Sequence, residues 1–238
     1  QGPNFNGNVF AAQALAKGAA CAIIDDAQYK QGESYILVDD ALKALQALAN
    51  LHRRRLKIPI IAITGSHGKT TTKEILGTIL SEKYGVLMTE GTKNTPLGIS
   101  RLINDKLTDQ HDVFIVEMWA YEKGNIKELC EIVHPTISIS ILTGITLQHL
   151  ERFGSLDNII DTKFEILEYL GETDFAVVDI STEGVKKGLL EKELRVARIE
   201  TVERGLPYQY KKNLWGISFE IDGQKYETKL LANYILQT

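Results

Sequence analysis

The run Ile63-Thr64-Gly65-Ser66-His67-Gly68-Lys69-Thr70-Thr71-Thr72 has the residue types and spacing of a triphosphate cradle. Gly65 and Gly68 let the backbone approach an anion, Lys69 can reach terminal phosphates, and the Thr70 hydroxyl is placed to ligate Mg²⁺. The run sits between Ile58 to Ile63, which reads as a buried parallel strand, and Thr70 to Lys83, whose length and apolar spacing predict a helix. Unpaired amides at a helix start attract phosphate. Ile63 stands where the outer glycine of G-x-x-x-x-G-K-[ST] would be, and a bare G-K-T can arise by chance. Strand and helix flanks nonetheless argue for ATP or GTP binding.

Three further positions carry chemistry. Glu117 ends the apolar run Val113 to Val116, and open α/β sheets gather ligand groups at such strand ends. It would hold the metal that accompanies the triphosphate, or be an ordinary surface acid. His149 lies in a loop after the apolar strand ending at Leu142, where it is either a metal or phosphate contact or merely solvated. Lys163 lies fourteen residues on, in a helix also carrying Asp157 and Asp161, and by spacing alone reads as a solvated cation.

The elements that must position these residues alternate between strand and helix, which argues for a mostly parallel α/β sheet with helices on its faces. Val9 to Ala16 reads as a helix, Cys21 to Ile24 and Tyr35 to Val38 as strands, and Asp39 or Asp40 caps a helix running to Leu56. Residues 1–56 therefore form a partial, smaller α/β domain, whose true N-terminus is expected to lie upstream. Residues 57–238 form a larger, P-loop ATPase-like domain. It has strands near Gly85 to Met88, Val113 to Met118, Thr136 to Leu142 and Phe175 to Val178, and helices such as Asn125 to Val133 and Leu156 to Leu170. Ile217 to Leu231 alternates around Asp222-Gly223, a pair preferred in tight hairpin turns.

Composition narrows the function. The 238 residues carry a net charge of -4, which gives no electrostatic case for nucleic acid. The basic run His52-Arg53-Arg54-Arg55 reads as a solvated helix C-terminus. Cys21 and Cys130 are far apart in apolar or helical surroundings, so both read as buried small hydrophobes in a reducing cytosol. No segment has the length of an apolar membrane span.

Taken together, four ordered segments resemble the Mur ligase family, ATP-dependent enzymes that add amino acids to the peptidoglycan precursor. They are Thr64 to Thr71, Glu117-Met118, His149-Leu150-Glu151-Arg152-Phe153-Gly154-Ser155, and Lys163-Phe164-Glu165. Gly2-Pro3-Asn4-Phe5-Asn6-Gly7, Lys17 to Ala20 and Val38 to Leu45 resemble the UDP-holding N-terminal domain of the members that join D-alanyl-D-alanine to UDP-muramoyl-tripeptide. The resemblance implies ATP and Mg²⁺ as cofactors, with nucleotide contacts from Thr64, Gly65, Ser66, His67, Gly68, Lys69, Thr70, Thr71 and Asp179. It implies substrate contacts at Asn4, Asn94 and Thr95, and metal ligands at Thr70, Glu117, His149 and Lys163. Lys69, His149 and Lys163 would be catalytic, Lys163 as a carbamate formed with CO₂. A monomeric cytoplasmic enzyme with small-molecule substrates is expected, completed by a C-terminal ligase domain absent after Thr238; the alternatives are another ligase of the same superfamily (amino-acid-adding muramoyl, folylpolyglutamate or cyanophycin synthetase type) or a nucleotide-binding module without ligase activity. The chain departs from the family pattern in having Thr95 where a second Asn is usual, Trp119-Ala120-Tyr121 where a small Gly-Ala segment is common, and Asp179 in place of an Asn.

Overall fold

The computed structural model describes residues 5–91, 94–133, 138–196, 198–203, 210–213, 216–221 and 224–228. Asn4, the Asp222-Gly223 turn and residues 229–238 lie outside them. By compactness the chain divides into residues 1–201 and residues 202–238.

The first unit opens with a 3₁₀ turn at Gly7–Phe10, then α1 (Ala11–Ala16), β1 (Ala22–Ile24), β2 (Tyr35–Leu37) and α2 (Ala41–Arg55). β1 and β2 pair in parallel, with Ala22 opposite Tyr35. The Asn8 side chain locks this corner, donating to Asp25 Oδ1 (2.7 Å) and accepting the Asp25 amide (3.0 Å). That bond, with the Ala41 amide, holds the Asp25 carboxyl below the usual carboxylate range. Asp40 caps α2 by accepting from the Leu42 and Lys43 amides, as a residue of its type does at a helix start.

Two readings of this region are corrected. Arg54 and Arg55 are exposed, but Arg53 is 1% exposed and donates to the Leu56 and Ile58 carbonyls. Its guanidinium thus satisfies the orphan carbonyls where the helix ends and the chain turns toward the sheet, a task that burial alone would oppose. Cys21 is exposed because it precedes the short strand rather than packing within it, whereas Cys130 is buried as expected.

The central sheet is built from β3 (Ile60–Thr64), α3 (Lys69–Ser81), β4 (Val86–Met88), α4 (Pro96–Lys106), β5 (Val113–Glu117), α5 (Asn125–Val133), β6 (Ser138–Leu142), α6 (Leu150–Phe153), α7 (Leu156–Glu168), β7 (Phe175–Asp179), α8 (Glu183–Glu191) and β8 (Arg198–Val202). Its strand order is β4-β5-β3-β6-β7-β8, and the β4/β5, β5/β3, β3/β6 and β6/β7 pairs are parallel. β3 and β5 are buried along their whole length, because helices cover both faces. Ile60, Ala62, Phe114 and Val116 pack with residues of α2, α4, α5 and α7. Ile61, Ile63, Val113 and Ile115 pack with Leu76 and Leu80 of α3 on the other face. The crossovers that follow β3 and β6 therefore lie on opposite faces, which opens a crevice at the carboxyl ends of these neighbours.

The second unit is described as an antiparallel sheet of β9 (Tyr210–Asn213), β10 (Gly216–Ile221) and β11 (Gln224–Thr228), in the order β11-β10-β9. The β10/β11 pair closes with Ile221 opposite Gln224, the hairpin read from its alternation; β9 gave no such signal. Among the described residues no helix is long and apolar enough to cross a membrane.

Candidate active site

The phosphate loop leaves β3 through Gly65, at φ +148°, and enters α3 through Gly68, at φ +81°. Both conformations favour glycine. A Cβ on Gly65 would stand 2.2 Å from Thr143 Oγ1 and 3.1 Å from the Thr143 amide nitrogen, so the chain just after β6 fills the space beside it. The Thr143 hydroxyl donates to the His67 carbonyl (2.5 Å), and the Ser66 amide donates to the Gly144 carbonyl (2.8 Å). Ser66 Oγ accepts from the Thr146 amide (3.0 Å). The loop is thus tied in its cradle form to the neighbouring strand end.

Lys69, the first residue of α3, folds its ammonium back to donate to the Gly65 carbonyl (2.8 Å) and the Ser66 carbonyl (3.3 Å). Burial pulls its pKa below the ordinary lysine value, opposed by the negative charge of Glu117. Thr70 Oγ1 donates to Glu117 Oε2 (3.0 Å), and Asn94 Nδ2 donates to Glu117 Oε1 (3.2 Å). The Glu117 amide donates to Thr89 Oγ1 (3.0 Å). Glu117 is 3% exposed, which removes its reading as a surface acid. A hydroxyl and a carboxylate side by side at the loop suit Mg²⁺, which prefers hard oxygens and leaves positions for phosphate and water. Among the described residues no group of three or more His, Cys, Asp or Glu gathers to hold a metal by itself.

Lys163 is 4% exposed, on the buried face of α7, so the solvated reading from spacing does not hold. Burial first, and the nearby charge of Lys69 second, push its pKa from 10.5 down to about 7, with Glu165 opposing. Two residues on, the Glu165 carboxylate accepts from the Gly124 amide (2.6 Å) and the Lys127 amide (2.9 Å), so this acid binds the start of α5. His149 takes the left-handed conformation at φ 53° and meets the rings of Trp119 and Tyr121 edge-on, at 6.1 and 5.8 Å between centroids. The Arg152 guanidinium lies 4.1 Å from the centre of the Tyr121 ring. Among the described residues His149 makes no hydrogen bond or ion pair with Lys163 or Glu117; its ion-pair neighbour is Glu151, 3.8 Å away.

The remaining expected positions spread outward. Asp179 ends β7, with its carboxylate accepting the Ser181 amide (2.9 Å). Thr71 is exposed on α3, and Thr95 is exposed and caps α4 by accepting from the Gly98 amide (3.2 Å). Asn4 lies outside the described residues. Two parts of the site escaped the sequence reading. One is Thr143 to Thr146, whose signal is a repeated Thr-Gly: Thr64-Gly65 and Thr143-Gly144 end adjacent strands, each with a glycine at positive φ. The other is Lys73, fully buried beside Glu117.

Comparison with known proteins agrees with this geometry. Residues 63–233 match the Mur ligase middle domain. The chain is 35% identical over 181 residues to the UDP-N-acetylmuramoyl-tripeptide--D-alanyl-D-alanine ligase of Synechocystis sp., covering 75% of this chain and 39% of that protein. It is 33% identical to the ligase of the same name from Bacillus subtilis, covering 72% of this chain and 37% of that protein. The crystal structure of MurF ligase from Thermotoga maritima in complex with ADP superposes with a TM-score of 0.78 at 28% identity, over 96% of this chain and 53% of that one. A MurF structure from Acinetobacter baumannii gives 0.79 at 26% identity, over 97% of this chain and 51% of that one. The chain thus spans about two fifths of the curated relatives' length. A phosphate loop cradled at the β3/β6 crevice, with a matching middle domain over most of its length, makes this chain a member of the Mur ligase family.

Proposed function

We propose that the protein is an ATP-dependent, ADP-forming amide ligase that joins D-alanyl-D-alanine to UDP-N-acetylmuramoyl-tripeptide. Residues 1–56 hold the UDP part of the precursor and the domain from residue 57 carries ATP. The observation that carries this reading is the Thr70–Glu117 pair, 3.0 Å apart, beside a phosphate loop already held open by Thr143 and Gly144. Support for the substrate comes from the relatives' shared name, and support for ATP from the ADP in the Thermotoga maritima structure.

In this reading the loop amides and the N-terminus of α3 receive the phosphates, and Lys69 exchanges the Gly65 and Ser66 carbonyls for phosphate oxygens. Thr70 and Glu117 hold Mg²⁺, which when bound offsets phosphate charge and polarises the phosphoryl group. The terminal carboxylate of the tripeptide attacks the γ-phosphorus, ADP leaves, and an acyl phosphate results. The neutral dipeptide amine then attacks the acyl carbon, and the tetrahedral intermediate collapses to the amide as phosphate leaves and the nitrogen's proton passes to water or to the departing phosphate. Fixed positive charge at the loop favours both steps. Asp179 meets the adenine, and Asn4, Asn94 and Thr95 contact the precursor.

Lys163 supplies the least common chemistry. With a pKa near 7 about half of its amine is neutral at neutral pH, far more than for an ordinary lysine, and only a neutral amine has the lone pair that adds to CO₂. The carbamate so formed, with His149, would present anionic oxygen and imidazole nitrogen to a second metal ion. Phosphate release by the full-length protein with UDP-muramoyl-tripeptide, with and without D-alanyl-D-alanine, tests the whole reading. Dipeptide-dependent release that Lys163→Ala abolishes and short carboxylic acids partly restore is the expected result; release driven only by another acceptor would refute the substrate assignment.

A further inference from the structure

Lys73 lies three residues after Thr70 on α3 and is wholly buried. Its ammonium donates to the Thr89 carbonyl (2.7 Å), sits 3.0 Å from Glu74 Oε1, and lies 3.8 Å from Glu117 Oε2. Glu117 Oε2 is the oxygen that also accepts the Thr70 hydroxyl. The metal position inferred above is therefore bordered by a fixed cation that cannot swing into water. A buried ammonium needs partners, and Thr89 and Glu74 supply two; Glu117, 3.8 Å away, lies beyond direct hydrogen-bond distance but within its field.

We propose that Lys73 is a positioning residue that makes metal capture depend on nucleotide. Its charge occupies the field of Glu117 and so weakens binding of a divalent ion to the Thr70–Glu117 pair alone. Phosphate oxygens then restore the missing negative charge, and the ion is held only as part of a metal–nucleotide complex. The exposed half of the arrangement tunes this effect: Glu74, with its side chain 52% exposed, neutralises part of the Lys73 charge. The inference rests on the assignment of Thr70 and Glu117 as metal ligands.

Mn²⁺ binding to the full-length protein, followed by the electron paramagnetic resonance of free Mn²⁺ with and without ADP, tests it, with Glu117→Gln setting the background. Lys73→Met keeps the side chain's length without its charge and is expected to tighten nucleotide-free Mn²⁺ binding about tenfold. That is the order expected for one unit charge a few ångströms from a divalent ion even under water-like screening. Glu74→Gln, which keeps the side chain's shape without its charge, is expected to weaken it about twofold. Unchanged or weaker nucleotide-free binding in a folded Lys73→Met protein would overturn the proposal. If that variant does not fold, unchanged or tighter binding in Glu74→Gln overturns it instead. Absence of Mn²⁺ binding to the wild type even with ADP would refute the metal site itself, and this inference with it.

Discussion

Replacing Gly65 by alanine adds one methyl group at the most crowded point of the phosphate loop. The new Cβ would stand 2.2 Å from Thr143 Oγ1, 3.1 Å from the Thr143 amide nitrogen and 3.1 Å from the Gly144 carbonyl oxygen. Two of these three neighbours are backbone, so a side-chain rotation cannot clear the space. The φ of +148° adds strain of about 1–3 kcal/mol for a residue with a Cβ. Moving the 143–144 segment away would weaken the Ser66–Gly144 and Thr143–His67 hydrogen bonds, each worth about 1 kcal/mol. Together these give a loss of roughly 3–5 kcal/mol, distributed between folding stability and the nucleotide-ready loop. Urea unfolding and calorimetric titration with ADP measure the two shares. A double-mutant cycle sharpens the argument: Thr143→Ala removes the 2.2 Å contact but leaves φ and the backbone contacts, so the pair should cost less than the sum of the singles by about 1 kcal/mol or more. Strict additivity, or a Gly65→Ala protein that binds ADP like the wild type with its unfolding midpoint unmoved, would refute the claim that this close approach shapes the loop.

Two further outcomes are expected. Because the Lys163 pKa is held at about 7 in the fold against 10.5 when unfolded, the unfolded chain binds the extra proton between these values, and stability from this group rises with pH through that window. Lys163→Met should therefore stabilise the protein more at pH 6.5 than at pH 10, with a ceiling of roughly 5 kcal/mol on the difference. Urea unfolding in CO₂-free buffer reads this, and an equal effect at both pH values would contradict it. Glu165→Ala strips two backbone donors, Gly124 and Lys127, of their acceptor and should cost about 2–3 kcal/mol, with faster hydrogen exchange at the Lys127 amide. A loss below about 0.5 kcal/mol would show that α5 does not depend on this carboxylate.

Local information in the sequence determined the phosphate loop and its flanks, because a strand, two glycines, Lys69 and a helix start are contiguous and each residue's role follows from its type. The strand and helix order was legible for the same reason: apolar runs such as Val113 to Val116 and the helical spacing of Asn125 to Val133 record burial directly. Burial of a charged residue left no such record. Lys163 and Arg53 read as solvated cations in the sequence and Lys73 gave no signal, yet packing put all three inside: Arg53 against the nearby Leu56 and Ile58 carbonyls, Lys73 against the Thr89 carbonyl and Glu117 from other elements. Thr143 and Gly144 belong to the loop through contacts that span nearly eighty residues, set by the pairing of β3 with β6. Sequence periodicity carries the direction in which a side chain leaves its own element; which neighbours await it there is decided by the order of strands in the sheet.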